Sequence, residues 1–157
     1  MTKKVEIADV AGGCFWGVEE ALSKIPGVIS TEVGYEGGHK PQPTYLMVCS
    51  HVTGHAETVR VSFDPKIISY RQILEYYMNS HNPTEMNRQG PDVGDNYRSA
   101  IFYHSDKQKD VAENLIQEIN ESGKYDKPVV TQVVPTTKFW PAEDYHQQYF
   151  AKQRGEI

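Results

Sequence analysis

Near the start of the chain, a cysteine flanked by glycines and aromatic residues lies between a predicted strand and a predicted helix. Cys14 belongs to the segment GGCFWG, residues 12–17. Unpaired N–H groups and the helix dipole at a helix N-terminus favour an anion. We therefore expect the thiol of Cys14 to lose its proton easily and to act as a nucleophile, beside an apolar pocket formed by Phe15 and Trp16. A small buried cysteine on a glycine turn is the alternative that these residues alone leave open.

A glutamate stands where a glycine turn leads into another predicted strand. Glu57 ends the segment TGHAE, residues 53–57. If its side chain is buried, its pKa is raised and it can donate a proton near neutral pH. An exposed glutamate at a strand end is the alternative, since carboxyl groups with perturbed pKa values are a minority.

Two histidines four residues apart, His51 and His55, raise the question of a metal site. Histidines at this spacing bind zinc when they share a helix face, but Val52, Thr53 and Gly54 disfavour a helix between them. The sequence has neither a CxxC nor an HExxH motif, so we expect no metal. A cysteine hydrolase would need one of the six histidines beside its nucleophile, and no pattern selects one.

The composition is that of a globular chain, with 157 residues and a formal charge of −5. This length suits one domain, which we expect to span residues 1–157. The basic residues form no dominant patch, so we expect no nucleic-acid partner. No apolar run is long enough to cross a bilayer and no signal-peptide pattern opens the chain, so we expect no membrane partner. Two cysteines are too few for a disulfide framework. They fit the reducing cytoplasm, where we expect a monomer.

The spacing of apolar residues predicts five strands and three helices. The predicted strands are Val5–Ala11, Val28–Gly34, Thr58–Phe63, Arg98–Tyr103 and Val129–Val134. One helix follows Cys14, and two more are predicted at Tyr70–Ser80 and Asp106–Glu121, each with a Ser/Gln capping box at its start. The order β-α-β-β-α-β-α-β predicts a layer of helices against a mixed or mostly antiparallel sheet.

Three long segments, residues 36–56, 81–96 and 135–157, carry no predicted regular structure. They hold most of the Gly, Pro, His and Asn residues of the chain. Loops of this length within a compact domain are usually functional. We therefore expect the site to form where these loops meet the turn at Cys14.

Eight motifs, in this order, resemble those of the peptide methionine sulfoxide reductase A family over nearly the whole chain. They are GCFWG at 13–17, GYEGG at 34–38, PTY at 43–45, VCS at 48–50, TGHAE at 53–57, NRQG at 87–90 followed by Asp92, YRS at 97–99 and PAEDYHQ at 141–147. The resemblance implies an α/β (α+β) two-layer sandwich related to the ferredoxin-like plait, with a mixed, mostly antiparallel sheet and long active-site loops.

The resemblance also implies an activity and a nucleophile. The activity is the reduction of the S epimer of methionine sulfoxide, free or in oxidised proteins and peptides, which repairs oxidised proteins. Carried over to this sequence, Cys14 attacks the sulfoxide sulfur and becomes a sulfenic acid. Phe15 and Trp16 line the slot for the substrate methyl group.

Four further residues match the family positions that act on the sulfoxide oxygen. Glu57 is the acid that protonates this oxygen, and Tyr45 and Tyr97 donate hydrogen bonds to it. Asp92 supports the polar side of the pocket. A sulfoxide sulfur is a poor electrophile until its oxygen gains a proton or strong donors, so these residue types suit the reaction. We expect Glu57 to be largely protonated in the resting enzyme.

The means of clearing the sulfenic acid differs from many relatives, which carry a resolving cysteine in the C-terminal tail. Residues 151–157 contain no cysteine, so either Cys49 or an external thiol must act. We expect a cycle on one cysteine, completed by thioredoxin, glutaredoxin or a small thiol, with no bound cofactor. A noncatalytic module that binds methionine sulfoxide through Phe15 and Trp16 is the alternative function.

Overall fold

The computed structural model describes residues 5–156, in which six strands form one sheet, two form a separate hairpin, and five helices are present. The strands are β1 Glu6–Ala11, β2 Val28–Glu36, β3 Ala56–Phe63, β4 Arg88–Gln89, β5 Asp92–Val93, β6 Ala100–Tyr103, β7 Gln132–Pro135 and β8 Trp140–Pro141. The helices are α1 Phe15–Ser23, α2 Tyr45–Cys49, α3 Tyr70–Asn79, α4 Asp106–Ser122 and α5 Tyr149–Gln153. Of the predicted domain, residues 1–4 and 157 lie outside the described residues.

The sheet has the strand order β7-β6-β1-β3-β2-β8. Its pairs are antiparallel except β6 and β7, which run parallel. Helices α1, α3 and α4 pack on one face, where Leu22, Val59 and Ile73 are fully buried. The predicted α/β fold, a helix layer on a mixed and mostly antiparallel sheet, is confirmed. Within residues 5–156, no helix has the length and apolar character needed to cross a membrane.

Both predicted helix starts are confirmed, but only one has the full capping box. At α3, Ser69 accepts from the N–H of Gln72, whose Oε1 accepts from the N–H of Ser69. At α4, Ser105 accepts from the N–H of Gln108. The Oε1 of Gln108 accepts from the N–H of His104 instead of closing the box, because its Nε2 is held by a main-chain carbonyl of β1.

Several strand boundaries differ from the prediction. Strand β6 begins two residues later, because residues 95–97 form a 3-10 turn. Strand β7 begins three residues later, because the N–H groups of Val129 and Val130 donate to groups outside the sheet. Strands β2 and β3 each extend two residues further along their shared ladder, which brings Glu57 inside a paired strand.

The prediction that the three long segments lack regular structure is wrong. Residues 36–56 contain α2, residues 81–96 contain the β4–β5 hairpin, and residues 135–157 contain β8 and α5. Helix α2 is capped by Thr44, whose side chain accepts from the N–H of Met47. These elements have two to five residues each, too few for a periodic pattern to be visible.

The second face of the sheet is crossed by residues 136–139, which we call the strap. The strap runs from β7 at one edge of the sheet to β8 at the other. Its Thr136 donates from Oγ1 to Glu36 at 2.5 Å, and the Arg60 guanidinium lies 4.4 Å from the ring centroid of Phe139. The strap therefore covers the sheet face that carries no helix layer.

Two fully buried carboxyl groups, Asp9 and Glu36, lie beneath the strap. Asp9 accepts two hydrogen bonds from Arg60, at 2.8 and 2.9 Å. Burial would raise the pKa of Asp9, but its hydrogen bonds to Arg60 and His104 outweigh burial and lower it. Burial, together with the charge of Asp9, raises the pKa of Glu36 to about 8. Near neutral pH, Asp9 is therefore ionised and Glu36 carries a proton.

Candidate active site

Cys14 occupies the N-cap of α1, directly after β1, as predicted from the sequence. The preceding Gly13 has a φ of +87°, a conformation that glycine adopts without steric cost. The N–H of Gly13 donates to the carbonyl of Tyr97 at 3.1 Å. Among the described residues, the Cys14 side chain makes no capping hydrogen bond, and the N–H of Gly17 donates to the Cys14 carbonyl at 3.1 Å. The glycine turn therefore places the thiol at the helix N-terminus and links it to Tyr97.

The expectation that the Cys14 thiol loses its proton easily is wrong for the resting protein. Burial raises the pKa of Cys14 to about 11, and a negative charge on Glu57 adds to this effect. The N–H groups of Trp16 and Gly17 favour the thiolate, but they do not outweigh these two effects. The sequence pattern identified the helix N-terminus correctly and gave no measure of how far the sulfur is buried.

Glu57 lies inside the protein, with 1% of its surface exposed, so it is not an exposed strand-end residue. Its Oε1 accepts from the main-chain N–H of Phe15 at 3.2 Å, and its Oε2 accepts from Nδ2 of Asn96 at 3.3 Å. Burial raises the pKa of Glu57 to about 7, and the charge of Asp92 contributes further. Near neutral pH, a substantial fraction of Glu57 is protonated.

The two candidate phenols, Tyr45 and Tyr97, lie close enough to Glu57 for its charge to affect their pKa values. Tyr45 is the first residue of α2 and Tyr97 ends the 3-10 turn of residues 95–97. Burial raises the pKa of Tyr45 above its usual range and that of Tyr97 to about 12, and the charge of Glu57 adds to both shifts. Asp92 is exposed on β5, and its charge acts on Cys14, Glu57 and Tyr97. The structure thus places Tyr45, Tyr97 and Asp92 close enough to Glu57 for their charges to interact.

The two aromatic residues after the cysteine have different surroundings. Phe15 is fully buried, with its ring centroid 5.8 Å from that of Tyr35 and 6.3 Å from that of Tyr45. Trp16 is half-buried, and its ring stacks on Tyr149 at 3.7 Å with an interplanar angle of 6°. The two rings therefore form part of an aromatic cluster next to the thiol.

Four residues of the site were missed by the sequence analysis. His146 is fully buried and its Nδ1 accepts from the indole N–H of Trp16 at 3.0 Å. Glu143 accepts from the Tyr45 N–H at 3.0 Å. The others are Tyr149, which stacks on Trp16, and Asn96, which contacts Glu57. The motif PAEDYHQ contains two of these residues, but its residue types alone indicated no contact with the nucleophile.

The second cysteine lies in the same region. Cys49 is half-buried at the end of α2. Burial raises the pKa of Cys49, the Tyr45 hydroxyl opposes this through a hydrogen bond, and charges on Glu57 and Glu143 raise the pKa further. Both cysteines are free thiols. The charge of Glu57 raises the pKa of each of them.

The histidine pair considered for a metal site has other partners. Nδ1 of His55 accepts from the N–H of Gly38 at 2.9 Å, and its Nε2 donates to the carbonyl of Lys40 at 2.7 Å. His51 pairs with Asp95 at 3.4 Å. Among residues 5–156, no group of three or more His, Cys, Asp or Glu side chains could hold a metal ion.

Comparison with known proteins gives the context for this site. The sequence model of the family described as peptide methionine sulfoxide reductase matches residues 6–157. A protein named peptide methionine sulfoxide reductase MsrA from Methanosarcina mazei is 56% identical over 95% of this chain and 71% of its own length. The chain belongs to the peptide methionine sulfoxide reductase A family. It is therefore a peptide-methionine (S)-S-oxide reductase, and this activity decides against the cysteine hydrolase and the noncatalytic binding module.

Other relatives of the reductase also match nearly the whole of its chain. The MsrA of Geobacter sulfurreducens is 50% identical over 96% of this chain and 93% of its own. The crystal structure of reduced Mxr1 from Saccharomyces cerevisiae has a TM-score of 0.90 at 34% identity, covering 96% of this chain and 87% of its own. The structure of methionine sulfoxide reductase A from Corynebacterium diphtheriae has a TM-score of 0.85 at 32% identity, covering 98% and 77%. The reductase therefore has the same fold as these two crystallised proteins.

Proposed function

We propose that the reductase acts through a sulfenic acid on Cys14, with Glu57 as the proton donor. The observation that carries this proposal is the hydrogen bond from the Phe15 N–H to Oε1 of Glu57, at 3.2 Å. It fixes the buried carboxyl beside the residue that follows the cysteine. A sulfoxide whose sulfur contacts Cys14 can then present its oxygen to Glu57.

The chemical step transfers one oxygen atom from the sulfoxide to Cys14 and two electrons from Cys14 to the sulfoxide sulfur. The Cys14 sulfur forms a bond to the sulfoxide sulfur while the sulfoxide oxygen takes the proton of Glu57. The oxygen is then transferred to Cys14, the bond between the two sulfurs breaks, and methionine leaves. The sulfoxide sulfur is reduced by two electrons and Cys14 is oxidised to the sulfenic acid. The proton of the Cys14 thiol returns to Glu57, so no net proton is consumed.

The remaining candidate residues surround the same reacting atoms. Tyr45 and Tyr97 donate hydrogen bonds to the sulfoxide oxygen, where each well-placed donor contributes on the order of a few kcal/mol to the transition state. Asp92 supports the polar side of the pocket. Phe15 and Trp16 provide the apolar surface against which the substrate methyl group packs.

We further propose that an external thiol reduces the sulfenic acid, with no bound cofactor. Thioredoxin, glutaredoxin and small thiols are the candidate reductants, in a reducing compartment that we infer to be the cytoplasm. A structure of yeast Mxr1 is described as being in complex with Trx2, which supports a thioredoxin-type reductant here. We propose oxidised proteins, peptides and free methionine sulfoxide as the substrates. We also propose that the enzyme acts as a monomer.

A single-turnover experiment tests the roles of Cys14 and Glu57. The fully reduced protein is mixed with methionine (S)-sulfoxide without reductant, and methionine release and the mass of each cysteine peptide are measured. We expect one methionine per enzyme and one added oxygen on Cys14. Glu57→Gln should slow this step by about 10²–10⁴-fold. Glu32→Gln, on an exposed residue of β2, is the matched control and should react normally. A normal rate in Glu57→Gln would refute the role of Glu57.

The role of Cys49 is tested by Cys49→Ser, assayed with a dithiol and with a monothiol. A disulfide between Cys14 and Cys49 requires Cα atoms within about 7 Å, together with attack by a thiol whose pKa is raised. We therefore expect unchanged turnover with both reductants. Loss of turnover with normal first-turnover methionine release would show that Cys49 resolves the sulfenic acid.

A further inference from the structure

The two oxygens of Glu57 have different partners. Oε1 accepts from the main-chain N–H of Phe15, a group that can only donate. Oε2 faces the side-chain amide of Asn96. When Glu57 is protonated, the proton therefore resides on Oε2, because a proton on Oε1 would oppose the N–H of Phe15. The oxygen that carries the transferable proton is the one that contacts Asn96.

Asn96 is fully buried, and its amide is only partly satisfied by described residues. Its Nδ2 donates to Oε2 of Glu57 at 3.3 Å, while its Oδ1 has no hydrogen-bond partner in the described part of the chain. The amide ends are a donor and an acceptor of similar size. A half-turn about the Cβ–Cγ bond would place Oδ1 against Glu57, where it could accept from a protonated Oε2. A buried polar atom without a partner is costly, and this rotation gives Oδ1 a partner.

The backbone around Asn96 holds this amide close to the reacting groups. Asn96 lies in the 3-10 turn of residues 95–97, after Gly94 with a φ of +147°. A Cβ on Gly94 would lie 2.6 Å from Oδ1 of Asn96, so glycine is required for this approach. The Asn96 side chain also lowers the pKa of Tyr97 through a hydrogen bond, although burial has the larger, opposite effect. The Asn96 amide thus contacts Glu57 and also influences Tyr97, two of the three groups proposed to act on the sulfoxide oxygen.

We propose that Asn96 is a positioning residue for Glu57 that serves both of its protonation states. Its Oδ1 accepts from the Glu57 carboxyl before proton transfer, and its Nδ2 donates to the carboxylate afterwards. Asn96 contacts no substrate atom in this role. The inference rests on the proposed function of Glu57 as proton donor, and it adds the group that orients the proton and stabilises the charge left behind.

Other groups interact with the charge of Glu57, and none of these residues is substituted in the test. They come from the N-cap of α1, from β2, α2 and β5, and from the 3-10 turn. They are Cys14, Tyr35, Tyr45, Cys49, Asp92 and Tyr97. The main-chain donor from Phe15 also remains in every variant. A shift observed on changing Asn96 alone therefore reports on its amide.

The test is the pH profile of the single-turnover rate in Asn96→Leu. Hydrogen bonds to a charged group are stronger than those to a neutral one, so loss of the amide destabilises the carboxylate more than the carboxyl. We expect the alkaline limb of the profile to move up by about one pH unit or more, and the maximal rate to fall about tenfold. Asn114→Leu, on an exposed residue of α4, is the matched control and should keep the parent profile.

Asn96→Gln keeps the donor and the acceptor of the amide. It therefore distinguishes loss of the amide hydrogen bond from a change in stability alone. We expect it to restore the alkaline limb to the parent position, even if the longer side chain lowers stability. The carbonyl stretching band of protonated Glu57, identified by its loss in Glu57→Gln, should shift in Asn96→Leu. An unchanged limb and band in folded Asn96→Leu would overturn this inference. A normal rate in Glu57→Gln would instead refute the proposed function, so the two failures are distinguishable.

Discussion

The indole N–H of Trp16 donates to Nδ1 of His146 across 3.0 Å. This hydrogen bond joins the helix that begins at the nucleophile to a segment far along the chain. Because Nδ1 accepts, the neutral imidazole carries its proton on Nε2, which has no partner among the described residues. The ring also lies 5.1 Å from Phe15 and 4.3 Å from Tyr45 between centroids. His146 therefore contacts Trp16, Phe15 and Tyr45 and joins these three rings in one cluster.

His146→Ala should both destabilise the protein and weaken the methyl slot. Truncating this buried ring leaves a cavity, so we expect a loss of about 2–4 kcal/mol in the free energy of unfolding, measured in urea. The KM for methionine sulfoxide should rise, because Trp16 loses its hydrogen bond. His146→Asn retains a side-chain acceptor and should recover part of both losses. Equal stability of the parent and His146→Ala would contradict this account.

Glu36→Gln should change how stability depends on pH. The pKa of Glu36 in the folded protein, about 8, lies above its ordinary value of 4.5. The folded state therefore binds the proton more tightly, and this contribution is present at low pH and is lost as pH rises from about 4.5 to about 8. The neutral amide keeps a donor beside Asp9 at every pH. We expect Glu36→Gln to be more stable than the parent above pH 8, by on the order of a few kcal/mol, and similar near pH 5.

The measurement for Glu36 is chemical denaturation at several pH values. Glu32→Gln changes an exposed carboxyl on the same strand and is the matched control. Its stability should follow the parent across the range. Parallel curves for Glu36→Gln and the parent would show that no proton is held between Asp9 and Glu36.

The reactivity of Cys14 should increase when the charge of Glu57 is removed. In a Cys49→Ser background, alkylation by iodoacetamide reports on Cys14 alone. We expect slow alkylation near pH 7, because the resting thiol is protonated, and a steady increase towards alkaline pH. Glu57→Gln should accelerate alkylation at about pH 9, because Glu57 is ionised there and its charge disfavours the thiolate. An equal or slower rate in Glu57→Gln would show that this charge does not act on the sulfur.

Two glycines of the cysteine motif should respond oppositely to alanine. A Cβ on Gly12 would lie 2.7 Å from the ring of His81. This ring is held by hydrogen bonds to the Tyr77 carbonyl and the Ser99 hydroxyl. We expect Gly12→Ala to lose about 1–3 kcal/mol of stability. A Cβ on Gly17, in α1, would meet nothing within 4 Å, so Gly17→Ala should gain about 0.5–1 kcal/mol.

Thermal and urea unfolding of these two variants decides the prediction. The substitution is the same in both, and only the surroundings differ. A destabilisation in Gly12→Ala should be accompanied by slower first-turnover methionine release, since the turn positions Cys14. Equal effects of the two substitutions would indicate that the contact with His81 does not constrain the turn.

Local sequence patterns predicted those parts of the fold that depend on local chemistry. The position of Cys14 followed from alternating residues before it and helical spacing after it. Ser69 and Ser105 marked two helix starts through their capping hydrogen bonds. In each case, the physical cause lies within a few neighbouring residues, so it is visible in one short segment.

Contacts between distant segments could not be predicted from such patterns. The pKa of Cys14 depends on burial by segments far away in sequence and on Glu57, so the expected direction was wrong. The contact between Asn96 and Glu57 joins residues from different elements, and no spacing rule relates them. Short elements such as α2 were also missed, because five residues do not complete two helical turns.

The stacking of Tyr149 on Trp16 has a consequence for the order in which the protein is made. A ribosome synthesises Cys14, Trp16 and Glu57 long before it reaches Tyr149. Until that ring emerges and packs against α1, a nascent chain contains Cys14 and Glu57 but lacks the aromatic partner of Trp16. The stacked pair of rings beside Cys14 is therefore completed only near the end of translation.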